Sequence, residues 1–484
     1  MLNALDISMI AIDEAHCVSQ WGHDFRPSYC KIAEIIGELK IRPVIVAFTA
    51  TATQVVNDDI IKLLELNNPF VLTTGFDRKN LYFSVEAPAN KFQFVLEFLE
   101  RHKGQSGVIY CSTRKSVDGL FEKLSKEGFS VSKYHGGMGE KARYVSQDDF
   151  VYDRCDIMVA TNAFGMGIDK SNVRFVLHYN MPSDLESYYQ EAGRAGRDGD
   201  DAECVLLFSR ADIVTNKFLI ENSSLDDGSQ GRYEKLNDMV DYCNTSKCLR
   251  RYILEYFGEA PEFDSCDYCS NCNSKTEVTD ITVDSKKILS CIKRMNERFG
   301  AGLVTDVLKG SNSAKVRSFG FHNLSTYGIM KEYSKDTIRD LISFLVAEGY
   351  VRSVGDKYPV LALSELANGV LFKGETVVIK KKIDKSIKDD KPSKTSRSDT
   401  SNLQYDADLF EILRIVRREI AAANKIPPFI VFGDVSLKQM AAFAPCSEED
   451  FLKISGVGDT KLKLYGKQFL EAISNYVASK TPCA

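Results

Sequence analysis

The chain lacks any apolar run long enough for a membrane-spanning helix, which needs about 20 consecutive apolar residues. No membrane span and no membrane partner are therefore expected. The segment from Met1 to Asp6 carries no positive charge and begins no long apolar stretch, which argues against a secretory signal peptide. We expect a cytoplasmic protein whose 13 cysteines are reduced thiols or metal ligands.

An excess of charge of one sign is also missing. The net charge is −5, and the contents of 44% apolar and 27% charged residues are those of an ordinary soluble protein. This balance argues against a protein coated in positive charge but leaves room for a local basic groove that binds nucleic acid. The 484 residues predict roughly three or more domains of ~150 residues each.

A short acidic motif follows the first predicted strand, Met9–Ile12. Asp13 and Glu14 come where this strand ends, which is where ligands bind in open α/β sheets. One carboxylate there can hold Mg²⁺, and the second can orient or deprotonate a water that attacks a phosphate. The structural alternative is a helix start, since acidic residues favour the first helical turn.

The motif Asp-Glu-Ala-His, ending at His16, and the loop after it resemble the second motif and the aromatic-rich loop of RecQ-family DNA helicases. The resemblance implies that Asp13 holds Mg²⁺, that Glu14 activates water and that His16 belongs to the same catalytic motif. It also implies a loop that senses single-stranded DNA through Trp21, His23, Phe25 and Arg26. Packing is the structural alternative for Trp21, the only tryptophan, but this mixture in a polar loop suits base stacking better.

The next α/β signals are a helix near 29–39 and the strand Val44–Phe48, which runs into Thr49 and Thr51. These hydroxyls resemble the third helicase motif and would couple the nucleotide site to neighbouring segments. The structural alternative is a simple Thr cap on the next helix, which is compatible with coupling, and the resemblance favours coupling.

No Gly-Lys-Ser or Gly-Lys-Thr occurs anywhere in the sequence. A nucleotide-binding sheet of this kind needs the loop G-x-x-x-x-G-K-[ST] before its acidic strand. We therefore expect residues 1–73 to form a partial RecA-like domain, in a chain that is truncated before its second motif.

Residues 74–210 predict a second RecA-like domain with a mainly parallel sheet, because strand and helix signals alternate. The predicted strands are 107–111, 131–134, 157–160, 175–179 and 204–208. The fourth-motif region suggests contacts to DNA phosphates from Ser112, Thr113, Arg114 and His135. Thr161 leads into the fifth motif, where the resemblance implies that Gly167 and Asp169 approach the nucleotide and Thr161 the DNA.

The sixth motif, Gln-x-x-Gly-Arg-x-Gly-Arg, spans Gln190–Arg197 and follows a predicted capping box of Ser183 and Glu186. Two arginines in a glycine-rich segment suit the spread charge of a transferring phosphoryl group better than core packing. The resemblance assigns the arginine finger to Arg197, and γ-phosphate positioning or domain coupling to Arg194. A solvated loop is the alternative.

Four cysteines in residues 211–278 have the spacing of a metal site: Cys248, Cys266, Cys269 and Cys272. Four thiolates suit Zn²⁺, and the arrangement resembles the RecQ zinc-binding subdomain. An iron–sulfur cluster is the competing site, but the Cys-Pro of the ferredoxin pattern is absent after the third cysteine. Cys243 is predicted to be a buried thiol outside the site.

Three further segments complete the predicted organisation. Residues 279–379 predict a winged helix with basic DNA-contact candidates at Lys315, Arg317, Lys331, Lys335 and Arg339, although each could be a solvated charge. Residues 380–401 predict a flexible linker. Residues 402–480 resemble a small all-α HRDC domain, whose Gly456-Val-Gly458 turn could meet a phosphate, or whose helices could bind protein.

The leading prediction is a RecQ-type ATP-dependent 3′-to-5′ DNA helicase of DNA repair, recombination and replication, with ATP, Mg²⁺ and Zn²⁺. Its expected partners are single-stranded, junction or forked DNA, with single-strand-binding protein or recombination factors as candidates. The rivals are a DNA-binding protein without catalysis, which the missing phosphate loop favours, and a gene fragment or misplaced start codon.

Overall fold

The computed structural model describes residues 7–19, 26–165, 170–221, 229–273, 276–355, 359–382 and 403–480. The chain forms two compact units. One holds the described residues within 7–77, 182–190 and 210–382, and the other those within 78–181, 191–209 and 403–480. Among these residues, no helix combines the length and the apolar character that crossing a bilayer requires.

The acidic motif lies beside a small parallel pair of strands. Strand β1 (Met9–Ile12) pairs with β2 (Val44–Ala47) in the register Met9↔Val44. Helices α1 (Pro27–Gly37) and α2 (Gln54–Leu63) complete this segment. Proline suits the first position of α1 because its missing N–H would have no helical partner there. The predicted helix and strand are confirmed to within two residues at each end.

A six-stranded parallel sheet forms the centre of the second unit, in the order β3-β8-β7-β4-β6-β5. Its strands have the following bounds: β3 Leu81–Glu86, β4 Gly107–Tyr110, β5 Val131–Tyr134, β6 Ile157–Ala160, β7 Phe175–His178 and β8 Ala202–Leu207. Every residue of β4, β6 and β7 is buried, as expected when helices cover both faces of a parallel sheet. The five predicted strands are confirmed. Strand β3 was missed because Ser84 and Glu86 interrupt its apolar pattern.

Three helices accompany this sheet: α3 Lys91–Arg101, α4 Arg114–Lys126 and α5 Glu140–Val151. Two more helices follow along the chain, α6 Leu185–Ala192 and α7 Arg210–Glu221. The predicted capping box of α6 is wrong by one residue. Asp184 Oδ1 accepts the Ser187 N–H at 2.7 Å, while the Ser183 hydroxyl donates to Asp184 Oδ2 at 2.6 Å. A carboxylate attracts the first helical amides more strongly than a hydroxyl, so Asp184 caps the helix.

The cysteine module and the winged helix share the first unit. Their elements are α8 Ser229–Asn244, α9 Leu249–Tyr256, α10 Ser270–Asn273, β9 Thr276–Asp280, α11 Thr282–Arg294, α12 Ala301–Lys309, α13 Ala314–Ser318, α14 Lys335–Ala347, β10 Val351–Val354, β11 Val360–Leu363, α15 Glu365–Phe372 and β12 Val378–Lys382. Strands β10 and β11 form the predicted antiparallel hairpin. The predicted helical apolar positions, such as Ile288 and Leu345, are buried in one core.

The predicted start of the linker is wrong. Residues 380–382 lie in β12, which pairs antiparallel with β9. This pairing joins segments about a hundred residues apart, so no local pattern announces it. The rest of the predicted linker lies outside the described residues.

The last domain is all-helical, as predicted. Its helices are α16 Ala407–Asn424, α17 Pro428–Val431, α18 Asp434–Phe443, α19 Glu448–Phe451, α20 Asp459–Lys461 and α21 Lys467–Lys480, with a π-helical turn at Leu462–Gly466. Gly456 begins the predicted glycine turn with a φ of 77°, a left-handed value that favours glycine.

Candidate functional site

The acidic motif presents its first carboxylate to solvent. Asp13 is exposed directly after β1, and its Oδ1 accepts the Glu14 N–H at 2.9 Å. Glu14 has a φ of 48°, in the left-handed region that non-glycine residues rarely occupy. Such conformations cost about 1–3 kcal/mol and cluster at functional sites. Exposure and local geometry therefore leave Asp13 accessible to a hydrated cation.

His16 links the acidic motif to the threonines after β2. Its ring is buried, and Nδ1 lies 2.9 Å from Thr49 Oγ1 and 3.4 Å from Glu14 Oε2. The predicted coupling of these two segments by a hydroxyl is thus present as a hydrogen bond. That this bond couples the nucleotide site to neighbouring segments stays a prediction.

Several predicted site residues fall outside the described residues: Trp21, His23, Phe25, Gly167 and Asp169. Arg26 is half-buried just before α1, and its N–H donates to the Cys17 carbonyl at 2.9 Å. Gln190 lies on α6, where it is half-buried.

The predicted phosphate contacts meet at the carboxyl ends of adjacent strands. Ser112 to Arg114 follow β4, His135 follows β5, and Thr161 follows β6. The Thr113 hydroxyl caps α4 by accepting the Ser116 N–H at 3.1 Å. Arg114 packs over Gly137, where an added β-carbon would come within 3.2 Å of the arginine side chain. The order β4-β6-β5 therefore gathers hydroxyls and one guanidinium at a single sheet edge.

His135 has a structural role in this group. It is buried, its Nε2 lies 3.3 Å from Asp118 Oδ1, and its Nδ1 accepts the Gly137 N–H at 3.2 Å. Lys133 also binds Asp118 at 2.5 Å and, with His135, lowers the pKa of that carboxyl. Because both ring nitrogens have protein partners, His135 shapes the turn that Arg114 covers.

The two arginines of the sixth motif have different surroundings. Arg194 is half-buried and donates through Nη1 to the Gly165 carbonyl, whereas Arg197 is exposed. Burial raises the pKa of the nearby Tyr110, and its hydroxyl donates to the Phe164 carbonyl at 2.8 Å. Arg194 thus ties the sixth motif to the fifth, while the Arg197 side chain is accessible to solvent.

Two residues that were not predicted from the sequence hold residues 193–200, the end of the sixth motif and the turn after it, which form the arginine loop. The Arg78 guanidinium donates to the carbonyls of Gly193, Ala195 and Gly196 at 3.3, 3.0 and 2.8 Å. Asn80 Nδ2 donates to Gly196 and Asp200, both at 2.8 Å. The carbonyls that accept these bonds lie on both sides of Arg197, so the segment just before β3 holds the loop backbone.

We expect Gly196→Ala to disturb this loop. Gly196 has a φ of +56°, and an added β-carbon would collide with Asn80 Nδ2 and lie 2.6 Å from the Asp200 carbonyl oxygen. The backbone conformation alone should cost about 1–2 kcal/mol. Gly199→Ala is the matched control, because its φ is +87° but nothing lies within 4 Å. Chemical denaturation should show a larger loss for Gly196→Ala, and equal losses would contradict the close packing.

The four predicted metal ligands come together. The sulfurs of Cys248, Cys266, Cys269 and Cys272 all lie within 4.8 Å of one another, and the first three residues are buried. A tetrahedral site with Zn–S bonds of about 2.3 Å needs sulfurs roughly 3.8 Å apart. The Sγ atoms of Cys266 and Cys272 are 4.0 Å apart. The donor set therefore fits zinc with small adjustments.

Backbone amides support the thiolates of this cluster. The N–H groups of Arg251 and Tyr268 donate to the sulfurs of Cys248 and Cys266 at 3.5 and 3.4 Å. Hydrogen bonds from Cys266 and Cys269 lower the pKa of Cys248 to about 7. Cys243 stays outside the cluster and is half-buried rather than buried, which corrects the prediction.

Four protein-family models match consecutive parts of the chain. They are the helicase conserved C-terminal domain at 90–199, RecQ zinc-binding at 210–273, the RQC domain at 275–388 and the HRDC domain at 406–473. The ATP-dependent DNA helicase RecQ of Bacillus subtilis is 46% identical over 476 residues, which cover 98% of this chain and 78% of the relative. The chain belongs to the RecQ family.

Other relatives extend the similarity. RecQ of Haemophilus influenzae is 39% identical over 98% of this chain and 76% of its own length. The ATP-dependent helicase SGS1 of Saccharomyces cerevisiae is 39% identical over 70% of this chain and 24% of its own length. The family's zinc-binding match contains all four clustered cysteines, which favours zinc over an iron–sulfur cluster.

In the match to the RQC domain, the basic candidates differ in their partners. Lys335 lies 2.6 Å from Asp306, and Arg339 lies 3.3 Å from Asp336. Lys331 contributes its carbonyl, which accepts from Lys309. Lys315 and Arg317 are exposed on α13, and Arg317 Nε donates to Asn312 Oδ1 at 2.5 Å.

An aromatic group that the sequence analysis missed stands beside α13. Phe319 is 54% exposed, and its ring centroid lies 5.0 Å from that of Phe299 and 5.6 Å from that of Phe321. The spacing of Lys315 and Phe319, four residues apart and so on one helical face, could have indicated it. Cations and an exposed ring together suit a nucleic-acid surface.

Proposed function

We propose that the protein is an ATP-dependent DNA helicase that unwinds DNA in the 3′-to-5′ direction during repair, recombination and replication. Membership of a family of ATP-dependent DNA helicases supports this proposal. The single observation that carries it is the exposed Arg197 on a loop fixed by Arg78 and Asn80. A guanidinium carried by such a fixed loop can stabilise the charge of a phosphoryl group in transfer.

ATP and Mg²⁺ are the cofactors of this proposal. Asp13 would hold the cation, which would offset phosphate charge. Glu14 would take a proton from the attacking water, and His16 would keep Glu14 and Thr49 in register. Arg194 would keep the fifth and sixth motifs together through its bond to Gly165.

DNA would lie along the carboxyl edge of the second sheet. Ser112 and Thr161 offer hydroxyl or backbone groups there, and Arg114 offers a guanidinium. Such groups bind phosphates without reading sequence. The basic helix α13 and Phe319 would add a second surface, for the duplex or junction.

A second candidate function is DNA binding without catalysis. It is favoured by the absence of a Gly-Lys-Ser or Gly-Lys-Thr loop from these 484 residues. DNA-stimulated ATP hydrolysis by a protein that also includes an upstream phosphate loop separates the two candidates.

We expect α13 to contribute phosphate contacts. Lys315→Ala and Arg317→Ala should each weaken binding of forked DNA, and each should lower the slope of log affinity against log salt by about 1. Fluorescence anisotropy over a salt series measures both effects. Lys293→Ala is the matched control, since Lys293 is paired with Glu297 at 2.7 Å on another helix. An unchanged slope in both α13 variants would argue against this surface.

A further inference from the structure

The helical domain of residues 403–480 lies against the second α/β domain through a buried arginine. The Arg417 side chain is 1% exposed on α16. Its Nη1 lies 2.8 Å from Asp434 Oδ1 and donates to the Phe432 carbonyl at 3.0 Å, both within the helical domain. Its Nη2 lies 3.6 Å from Asp153 Oδ2 of the α/β domain, and Lys170 also binds Asp153. A buried guanidinium is therefore shared between the two domains.

A second set of charges lies around the start of α18. Arg174 of the α/β domain binds Asp198 and lies 3.5 Å from Asp200. Lys438 reaches across from α18, with Nζ 3.1 Å from Asp200 Oδ2. Burial would raise the pKa of Asp434, but the charges of Arg417 and Arg174 outweigh it and lower the pKa to about 2. Asp434 thus interacts with cations from both domains.

These contacts occupy the amino ends of the parallel strands. Asp153 lies shortly before β6, Arg174 directly before β7, and Asp200 shortly before β8. The candidate DNA contacts follow β4, β5 and β6 and so lie at the opposite edge of the sheet. The contacts of the helical domain and the candidate DNA contacts therefore lie at opposite edges of the sheet.

The contact between the helical domain and the α/β domain lies next to two helicase motifs of the α/β domain, the fifth and the sixth. Lys170 directly follows the fifth motif, and Asp198 directly follows Arg197. Arg417 and Asp434 lie between these ends, so the ion pairs run from the fifth motif through the helical domain to the sixth. The arginine loop is held by Arg78 and Asn80 from just before β3 and by Lys438 through Asp200.

The charges are also paired within each domain. Lys170 pairs with Asp153, Arg174 with Asp198, and Arg417 with Asp434. Separation of the domains would leave each of these buried charges with a partner, which avoids the cost of an isolated buried ion. Such a contact can open and close more readily than one that leaves charges unpaired.

We infer that residues 403–480 are a reversible docking module, which contacts the amino ends of the parallel strands and thereby positions the arginine loop. In the docked state, Arg417, Asp434 and Lys438 restrain the segments at Lys170 and Arg197. Undocking loosens both. The effect on catalysis rests on the proposed ATPase function, whereas the docking itself does not.

The test uses Lys438, which is partly exposed and outside the helical core. Lys438→Glu places a like charge beside Asp200, while Lys438→Arg keeps the attraction. Lys467→Glu makes the same charge change at an exposed position of α21 and is the control. Hydrogen exchange is measured across the full chain for each variant.

We expect Lys438→Glu to speed exchange about tenfold or more in residues 194–202 and in α18, because like charges in contact are strongly disfavoured. Lys438→Arg and Lys467→Glu should match the parent protein. If Lys438→Glu leaves exchange in both segments unchanged, the docking contact does not exist as inferred. If exchange rises throughout α16 to α21 but not in 194–202, the domain has unfolded without restraining the loop, and the inference fails.

Catalysis is measured in a protein whose sequence also includes an upstream phosphate loop. Lys438→Glu should lower kcat several-fold without changing KM for ATP, since a loosened arginine loop loses an interaction of the transition state. Lys438→Arg should restore kcat. Faster exchange with an unchanged kcat would support the docking contact but contradict its role in positioning the arginine loop. Absence of ATP hydrolysis in the parent protein would count against the proposed function, while the exchange result would still decide docking.

Discussion

Purified protein is expected to contain about one zinc ion per chain, and removal of that ion is expected to unfold the cysteine module. Structural zinc contributes about 10–16 kcal/mol of apparent binding free energy in small domains, which exceeds the stability of most domains. The four sulfurs lie within 4.8 Å of one another, and Cys248 caps α9, so loss of the metal would also free the start of that helix. Thiolates that lose the cation would repel one another in a mostly buried site.

Elemental analysis and hydrogen exchange before and after chelation measure the two effects. Cys266→Ser should abolish stoichiometric zinc and release exchange in residues 248–273. Cys243→Ser is the matched control, because Cys243 lies outside the cluster, and it should keep the metal. Iron with visible absorbance, or a folded module without metal, would contradict the zinc assignment.

The cysteine site could be predicted from the sequence because its ligands are close along the chain and chemically unusual. The same holds for strands β4, β6 and β7, whose apolar runs announce burial. Local patterns of this kind can be interpreted without knowledge of distant contacts. They account for the sheet, the acidic motif and the arginine pair.

Residues whose role depends on distant partners could not be predicted. Arg78 lies 115 residues from Gly193, whose carbonyl it binds, so nothing beside Arg78 reveals that it supports the arginine loop. Arg417 stands in a helix with Arg414 and Arg418 and has the pattern of a solvated face. Its burial follows from the docking of α16 on the α/β domain. Strands β9 and β12 were missed for the same reason, since each is completed only by the other.

A polypeptide of residues 1–484 alone is expected to hydrolyse ATP at a negligible rate, even with DNA present. Phosphoryl transfer is catalysed by positioning and electrostatics, and the β- and γ-phosphates need a cradle of backbone amides and a lysine. The sequence of residues 1–484 contains no Gly-Lys-Ser or Gly-Lys-Thr, the end of the loop that forms this cradle. Asp13 is exposed after β1 and Arg197 is exposed after α6, but neither can replace the cradle.

Addition of an upstream segment that contains Gly-Lys-Ser or Gly-Lys-Thr should restore DNA-stimulated hydrolysis. In that protein, Glu14→Gln should abolish turnover by removing the base, and Arg197→Ala should lower kcat by about 10³–10⁵, the usual value of an arginine finger. Arg154→Ala is the matched control for the arginine, because Arg154 is exposed and paired with Asp149 at 2.7 Å. Steady-state phosphate release is measured with and without single-stranded DNA for the extended protein and its three variants. DNA-stimulated hydrolysis by residues 1–484 alone, lost in Glu14→Gln, would show that these residues bind the phosphates without the loop.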